Sequence, residues 1–389
     1  MSAMERLLRM MADNKASDLY LSVNAPVMVK VRGETIAVNN QLLSTEAPLK
    51  LLSEIVSAES IEELRNTGEL NVGVPIKGVG RFRVSAMRQR GTYAVVIRFI
   101  PRDIPDLQDL RLPPIIESLS LEKRGLILVV GSTGSGKSTT IASMMDLRNK
   151  TTVNHILTIE DPIEYTFHNK RSIINQREVG SDTASLQVGL KNALRQAPDV
   201  IQIGEIRDRE TMSAALAYAQ SGHLCISTLH ANNSYHALNR ILSFYPVEVR
   251  PTMLGDLAAT LKAIISQRLL RGMDGERIPA VEVLLNTKRI SELIEASNFS
   301  GIRDAMQQSM SEGSQTFEES LAQLVAEDLV DRKAAFEAAD SPTNLMWRLQ
   351  NDFAMAANMA KANVENSEET NDEPSFTEFS LDVRGSSNG

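Results

Sequence analysis

The chain has 389 residues, of which 42% are hydrophobic and 23% are charged, and its formal net charge is −8. This length and composition allow two globular domains, each with a core of its own. No apolar run in the sequence approaches the roughly 18 residues that a membrane-spanning helix needs. The negative charge, and the lack of a lysine- and arginine-rich block with interleaved aromatic residues, argue against a nucleic-acid-binding protein.

The single cysteine, Cys225, bears on where the protein works. One cysteine excludes an internal disulfide framework and suits a reducing compartment, so we expect a cytoplasmic location. Because Cys225 lies in the apolar run 224–226, it is predicted to be a small buried side chain rather than a reactive thiol.

The first part of the chain, residues 1–99, is predicted to be a small α+β domain. A helical pattern covers 45–57. A capping-box pattern at 60–63 predicts the start of a second, short helix. Polar and apolar residues alternate on both sides of Gly91, which predicts a hairpin with one solvent-facing side. The predicted strands lie at 19–21, 27–31, 81–86 and 92–99.

The pattern changes after this domain. Residues 100–118 concentrate prolines and polar residues and are predicted to be a linker. From 119 to 350, continuous apolar strands alternate with helical segments, which predicts a parallel sheet with helices on its faces. Residues 351–389 are acidic and rich in asparagine and serine, so they are predicted to be a disordered tail. The strands expected to be buried are 126–130, 156–159, 200–203 and 224–227.

The segment 131–138 reads Gly-Ser-Thr-Gly-Ser-Gly-Lys-Ser and fits the phosphate-loop pattern G-x-x-x-x-G-K-[ST]. It lies between an apolar strand and a predicted helix, a context that favours a phosphate loop over a chance glycine-rich turn. Glycines let successive backbone N–H groups point at phosphate oxygens, and the helix N-terminus adds its positive end. The predicted nucleotide-binding residues are Gly131, Ser132, Thr133, Gly134, Ser135, Gly136, Lys137, Ser138 and Thr139.

Two side chains of this loop are predicted to have specific roles. Lys137 is expected to reach the β- and γ-phosphates, and the Ser138 hydroxyl is expected to be a ligand of Mg²⁺. The sequence therefore predicts a protein that binds a nucleoside triphosphate together with Mg²⁺.

Acidic or imidazole side chains follow three further strands, at the edge of the sheet where the phosphate loop lies. Ligands of open α/β sheets bind at this edge, and triphosphate hydrolysis needs a metal and a group that orients the attacking water. Glu205 is predicted to act on the Mg²⁺ side, Glu164 to orient the water, and His230 to sense the γ-phosphate through a hydrogen bond. The alternative is that these side chains cap helices or remain solvated.

Five motifs together resemble the secretion-type ATPases of type IV pili, from about residue 5 to residue 350. The motifs are Ala-Ser-Asp-Leu at 16–19, the phosphate loop, Thr-Ile-Glu-Asp-Pro-Ile-Glu at 158–164, Gly-Glu-Ile-Arg-Asp at 204–208, and the segment 222–230, which begins Gly-His-Leu and ends Ser-Thr-Leu-His.

This resemblance implies a fold and an assembly. It implies a PAS-like N-terminal domain followed by a RecA-like P-loop domain with a helical C-terminal region. It also implies a homohexameric ring in which each member closes on ATP between its two domains. By the same resemblance, Arg83 and Arg98 would reach the γ-phosphate from the N-terminal hairpin, and the alternative for both is a solvated strand face.

Within this family the chain is most similar to the retraction branch, PilT and PilU. Assembly and export relatives usually carry a four-cysteine zinc module, which one cysteine cannot build. Residues 289–296 keep the apolar positions of a helix that is usual in the retraction branch, but the charges differ. This change and the acidic tail point to the PilU group rather than the PilT group.

The resemblance therefore implies an ATP-hydrolysing motor that supports pilus retraction and twitching motility and depends on a PilT-type paralogue. It implies a second partner, an inner-membrane pilus platform protein, with the motor peripheral at that membrane. One alternative is an accessory ring component that binds ATP and has little motor activity of its own. A RecA-like nucleic-acid motor is a further alternative, but the chain lacks the basic and aromatic residues that track a strand.

Overall fold

A computed structural model describes residues 1–31, 34–100, 103–308 and 311–351. It contains helices and two β-sheets, which confirms the predicted mixed α/β class. The predicted acidic tail, 351–389, lies outside the described residues except for Asn351. No helix in the described ranges is long and apolar enough to cross a membrane.

The first sheet has six antiparallel strands in the order β3-β2-β1-β6-β5-β4. The predicted hairpin is confirmed, because β5 and β6 pair along their length on either side of Gly91. The strands are β1 (Asp18–Leu21), β2 (Met28–Val31), β3 (Glu34–Ala37), β4 (Glu69–Ile76), β5 (Gly80–Gln89) and β6 (Thr92–Ile100).

Side-chain alternation in β5 gives this sheet one face that is fully buried against helices and a second face that is only partly buried. Phe82 and Val84 are fully buried in a core that is shared with the helices packed on the sheet. Arg81 and Arg83 alternate with them and therefore lie on the opposite face. The helices are α1 (Ala3–Asp13), α2 (Ala47–Leu52) and α3 (Ala58–Thr67).

Helix α3 corrects one sequence prediction. The capping-box pattern at 60–63 predicted that the helix opens at Ser60, but the helix begins at Ala58. Ser57 is the capping residue, and its Oγ accepts the N–H of Ser60 at 3.2 Å. The prediction was wrong because Ser57 and Ser60 are both suitable caps, and only Ser57 has the extended backbone that a cap requires.

The second sheet has seven strands in the order β13-β12-β7-β11-β10-β8-β9. All neighbouring strands are parallel except β12 and β13, which form an antiparallel pair at one edge. The strands are β7 (Gly125–Val130), β8 (His155–Glu160), β9 (Ile173–Glu178), β10 (Val200–Glu205), β11 (Leu224–Leu229), β12 (Leu261–Arg271) and β13 (Arg277–Leu285).

Helices cover both faces of this sheet, which explains its continuous apolar strands. In β7, Leu126 and Leu128 pack in one buried cluster, whereas Ile127 and Val129 pack in another. A strand buried on both sides favours apolar residues at nearly every position. The helices that follow the first sheet are α4 (Ile115–Ser120), α5 (Lys137–Thr151), α6 (Leu186–Ala193), α7 (Arg209–Gln220), α8 (Ser234–Ser243), α9 (Arg250–Thr260), α10 (Lys288–Glu295), α11 (Ile302–Gln307), α12 (Phe317–Ala326) and α13 (Arg332–Ala338).

The C-terminal helices pack against the antiparallel edge of the second sheet. Phe317 and Leu321 of α12 lie in one buried cluster with Leu270 of β12 and Ile278 of β13. Residues 342–351 are helical and add Leu345 and Leu349 to the same cluster. This packing attaches the last described helix to the body of the protein.

Candidate nucleotide-binding site

The phosphate loop joins β7 to α5 and has the backbone that its glycines predict. Gly136 has φ 91°, a left-handed conformation that other residues rarely adopt. A Cβ atom at Gly136 would lie 2.9 Å from Nε2 of Gln267. Gly136 is also the N-cap of α5 and has no capping side chain. The N-cap residue of α5 therefore satisfies none of the first backbone N–H groups of the helix, which are the groups that bind an anion at a helix N-terminus.

Lys137 places its ammonium group inside the loop. Nζ donates to the carbonyl oxygens of Gly131 at 2.9 Å and Ser132 at 2.7 Å, and the residue is only 8% exposed. Burial lowers the pKa of the Lys137 ammonium, while the nearby carboxylates of Glu205 and Glu164 oppose this shift. The structure therefore brings the two predicted carboxylates close to the predicted phosphate-binding lysine.

Glu205 is the last residue of β10 and has two partners. Arg207 Nε donates to its Oε2 at 2.7 Å, and His230 Nε2, just after β11, lies 3.3 Å from its Oε1. The predicted residues Glu205 and His230 are thus neighbours at the carboxyl ends of adjacent strands. Arg207 was not predicted as a site residue, although it lies in the motif at 204–208.

Glu164 lies in the loop after β8 and its side chain is exposed. Its backbone N–H donates to Oε2 of Glu160 at 3.4 Å. Glu160 is buried and also accepts hydrogen bonds from Thr158 Oγ1 at 2.7 Å and Gln176 Nε2 at 3.2 Å. Burial raises the pKa of Glu160 from 4.5 to about 7.

Two polar contacts join the loop and the helix of the site to other elements. Thr139 Oγ1 lies 2.9 Å from Oη of Tyr165, which follows Glu164 in the chain. Thr140 Oγ1 donates to Oε1 of Gln267 in β12 at 2.8 Å. Sequence reasoning missed Glu160, Tyr165 and Gln267. Glu160 lies within the motif at 158–164 and Tyr165 directly follows it, whereas nothing in the sequence brings β12 next to α5.

The two predicted arginines lie in the first sheet, not at the phosphate loop. Arg83 and Arg98 are direct partners in the register of β5 and β6 and share a face of the sheet. Arg98 Nε donates to Oδ1 of Asp18 at 2.8 Å, and Asp18 is buried. The structure therefore brings these arginines together, with Arg98 bonded inside its own sheet.

The fold and the site define a P-loop nucleotide-binding protein, in which a parallel sheet carries the phosphate loop and acidic side chains on one edge. The chain belongs to the type II/IV secretion system protein family, whose family model matches residues 2–281.

Relatives within the family narrow this assignment. The chain is 43% identical over 342 residues to the type IV pilus ATPase PilU of Pseudomonas aeruginosa, with 88% of this chain and 90% of that protein covered. It is 37% identical over 338 residues to the type IV pilus retraction ATPase PilT of the same organism, with 87% and 98% covered. The crystal structure of the pilus retraction motor PilT with bound ADP has a TM-score of 0.82 at 39% identity, covering 88% of this chain and 98% of that one.

These comparisons confirm the resemblance to the retraction branch that the five motifs indicated. They also confirm the predicted fold class and the prediction of a nucleotide-binding ATPase that functions in type IV pilus retraction.

Proposed function

We propose that this chain is an ATP-hydrolysing motor that works with Mg²⁺ as a homohexamer and supports type IV pilus retraction and twitching motility. The observation that carries the proposal is the Lys137 ammonium, which donates to the carbonyl oxygens of Gly131 and Ser132 inside the phosphate loop, with Glu205 at the end of β10 and Glu164 in the loop after β8. Phosphoryl transfer to water requires positive charge at the phosphates, a group on the metal side and a group that orients the water. Lys137 and the two carboxylates are suited to these tasks.

Ser138 and Glu205 are the proposed protein contacts of Mg²⁺. Hydroxyl and carboxylate oxygens suit this hard cation, which proteins usually hold with one or two side chains and the substrate phosphates. The bound cation would neutralise charge on the phosphates. The contacts of Glu205 with Arg207 and His230 support the assignment, because they orient its carboxylate.

Glu164 is the proposed water-orienting residue, and His230 the proposed sensor of the γ-phosphate. The Glu164 side chain is exposed, whereas its backbone N–H is bonded to the buried Glu160. An exposed carboxylate on a backbone that is held in place is suited to holding water against a phosphate. The backbone amides of 131–138 and the side chains of the loop, with Thr139, would hold the phosphates.

We also propose that the chain divides into an N-terminal domain at 1–99, a linker at 100–118, an ATPase domain at 119–350 and an acidic tail at 351–389. ATP would bind between the two domains, with Arg83 and Arg98 reaching the γ-phosphate. Arg98 is paired with the Asp18 carboxylate in this structure. In the proposed role, Arg98 would leave this carboxylate and bind the γ-phosphate when the two domains close on ATP.

The proposed partners are an inner-membrane pilus platform protein and a PilT-type paralogue, with the motor at the cytoplasmic face of that membrane. The names of the relatives support a place in the pilus machinery. Dependence on a paralogue rests on α10, which lacks the two arginines and the asparagine usual in the branch and has Arg289 and Glu292 on its exposed side.

A second candidate is an accessory ring component that binds ATP but drives little retraction by itself. The altered exposed side of α10 favours it, because the charges of an exposed helix face decide which partner fits. The complete set of Lys137, Glu164 and Glu205 favours the motor.

The test of the motor is Lys137→Ala in the purified protein. We expect ATP hydrolysis to fall by at least about 100-fold, because one cation at the phosphates is lost, while the melting temperature changes little. Lys150→Ala is a matched control, since Lys150 lies at the other end of the same helix and pairs with Asp146 at 2.9 Å. Near-normal hydrolysis by a folded Lys137→Ala protein would overturn the proposed site.

A further inference from the structure

A buried carboxylate outside the proposed site joins the two sheets. Glu178 is the last residue of β9, the edge strand of the second sheet, and its side chain is 3% exposed. Its Oε2 accepts a hydrogen bond from Nη2 of Arg81 at 2.7 Å and another from the backbone N–H of Ile163 at 3.0 Å. One carboxylate oxygen therefore contacts both β5 of the first sheet and the loop that carries Glu164.

The first sheet leaves room for this contact. Gly73 of β4 pairs with Arg83 of β5. Arg83 and Arg81 are two residues apart and lie on the same face of that strand. A Cβ atom at Gly73 would lie 2.5 Å from Nη2 of Arg81 and 2.7 Å from Oε1 of Glu178. A side chain at this position would therefore displace the ends of Arg81 and Glu178 from the positions in which they form the ion pair.

Two buried carboxylates accept the backbone N–H groups of Ile163 and Glu164. Glu160 and Glu178 are register partners on β8 and β9. Glu178 accepts the N–H of Ile163, and Glu160 accepts the N–H of Glu164. Glu160 has its other partners within the second sheet, whereas Glu178 has Arg81 in the first sheet.

We propose that the Arg81–Glu178 pair transmits the position of the first sheet to the water-orienting Glu164, which makes Glu178 a positioning residue for hydrolysis. The inference rests on the proposed role of Glu164. When the first sheet moves and Arg81 withdraws, Glu178 loses its charged partner and is left with its carboxylate buried. Burying an unpaired charge is unfavourable, so the side chain and the Ile163 amide bonded to it shift together. Hydrolysis is thereby coupled to the arrangement of the two sheets.

A purely structural ion pair makes a different prediction from a positioning pair. If the contact only holds the sheets together, its loss lowers the melting temperature and leaves kcat at saturating ATP unchanged. If the contact positions Glu164, its loss lowers kcat while nucleotide affinity stays close to that of the unchanged protein. A displacement of a catalytic group by about 1 Å costs up to roughly 100-fold in rate.

The experiment compares Glu178→Gln, Arg81→Gln and the double variant in the full-length protein. We expect each single variant to lower kcat about tenfold or more, with little change in the Kd for ADP. The double variant should be no slower than the slower single variant, because both residues act through one contact. Arg81→Lys keeps the charge and should recover part of kcat. Arg348→Gln is the control, since Nη2 of Arg348 lies 2.7 Å from Glu319 with the same side-chain exposure as Arg81, 21% against 22%.

A second readout tests the link without relying on hydrolysis. Hydrogen exchange at the amides of 160–167 should become faster in Arg81→Gln as well as in Glu178→Gln, because the Ile163 amide loses its fixed acceptor. Unchanged exchange in Arg81→Gln, or additive losses of kcat in the double variant, would overturn the proposal. Normal kcat in Glu178→Gln beside an inactive Glu164→Gln would overturn it while leaving the proposed function intact. Normal hydrolysis by Glu164→Gln would instead overturn the proposed role of Glu164 and the inference with it.

Discussion

Glu164 and Glu205 lie on the same edge of the sheet, but their surroundings differ, and this difference supports the separate roles proposed for them. Glu205 is bonded to Arg207 and lies beside His230, so its carboxylate is held in place. Glu164 has an exposed side chain on a backbone that is held by Glu160. A fixed carboxylate suits a metal, and a movable one suits a water molecule that must be oriented when the site closes.

Glutamine at each position is expected to separate these roles. Glu164→Gln should lower kcat by on the order of 100-fold and leave nucleotide affinity nearly unchanged, because only the orientation of water is affected. Glu205→Gln should lower kcat and also weaken the Mg²⁺-dependent part of ATP binding. Steady-state kinetics and calorimetric titration with and without Mg²⁺ would measure both effects. Equal affinities with equal rate losses would mean that the two roles are not distinct.

Glu160 is expected to make the stability of the protein depend on pH. Burial raises its pKa in the folded state from 4.5 to about 7, so between these values the folded protein holds a proton that the unfolded chain has released. The contribution of this group to the free energy of unfolding is therefore present below about pH 4.5, decreases as the pH rises, and is lost above about pH 7. Each pKa unit corresponds to about 1.4 kcal/mol.

Glu160→Gln should remove this dependence, because an amide does not ionise. Urea unfolding at pH 5 and pH 8 would show a smaller fall in stability for the variant than for the unchanged protein. An equal fall in both proteins would assign the pH dependence to other groups.

Among the elements, α10 combines a buried stripe with an altered exposed side. Ile290, Leu293 and Ile294 are all buried, which confirms the predicted apolar spacing at positions i, i+3 and i+4. Ser291 Oγ donates to the carbonyl oxygen of Ala258 at 3.2 Å, so this position attaches α10 to α9 instead of facing solvent. The packing of the helix is intact, and what differs is the charge that it presents.

We expect forceful pilus retraction by this protein only when a PilT-type paralogue is present. The physical reason is that the exposed charges of α10 alter the fit to a neighbouring partner without disturbing the fold. The measurement is the retraction of individual pili in cells that lack the paralogue. The variant Glu292→Asn/Glu295→Arg, which restores the asparagine and one of the two arginines usual in the retraction branch, is the matched comparison. Normal retraction by the unchanged protein alone would contradict the prediction.

Prediction of the elements succeeded where the local pattern was strong. Strands β7, β8, β10 and β11 are found within one or two residues of their predicted bounds, because each is a short, predominantly apolar run. Strand β9 was not predicted. It lies at an edge of the sheet, and its residues 173–178 mix polar and apolar side chains without a clear period. Its pairing with β8, rather than its composition, makes it a strand.

On the scale of the whole molecule, the acidic tail from about Ala362 is expected to be dispensable for folding. Residues 361–389 contain seven acidic and two basic residues and few apolar ones, so they offer little surface to bury. Truncation after 361 should leave the melting temperature nearly unchanged. Truncation after 340 should lower it by several degrees, because Leu345 and Leu349 are buried in the core formed by the C-terminal helices. A large drop in melting temperature when only 362–389 is removed would show that the tail packs on the folded body.

The sequence by itself determined the phosphate loop, the acidic residues after the strands and the family. These features are local. Residues Gly131 to Ser138, for example, form the loop between one strand and the next helix, and the glycines of the loop determine its backbone conformation. Only the tertiary structure decided which distant side chains meet that turn. Arg81 and Glu178 are 97 residues apart, and Thr140 and Gln267 are 127 apart. Such pairs depend on strand order and on how the sheets pack, and these arise from the burial of many residues at once rather than from any local pattern.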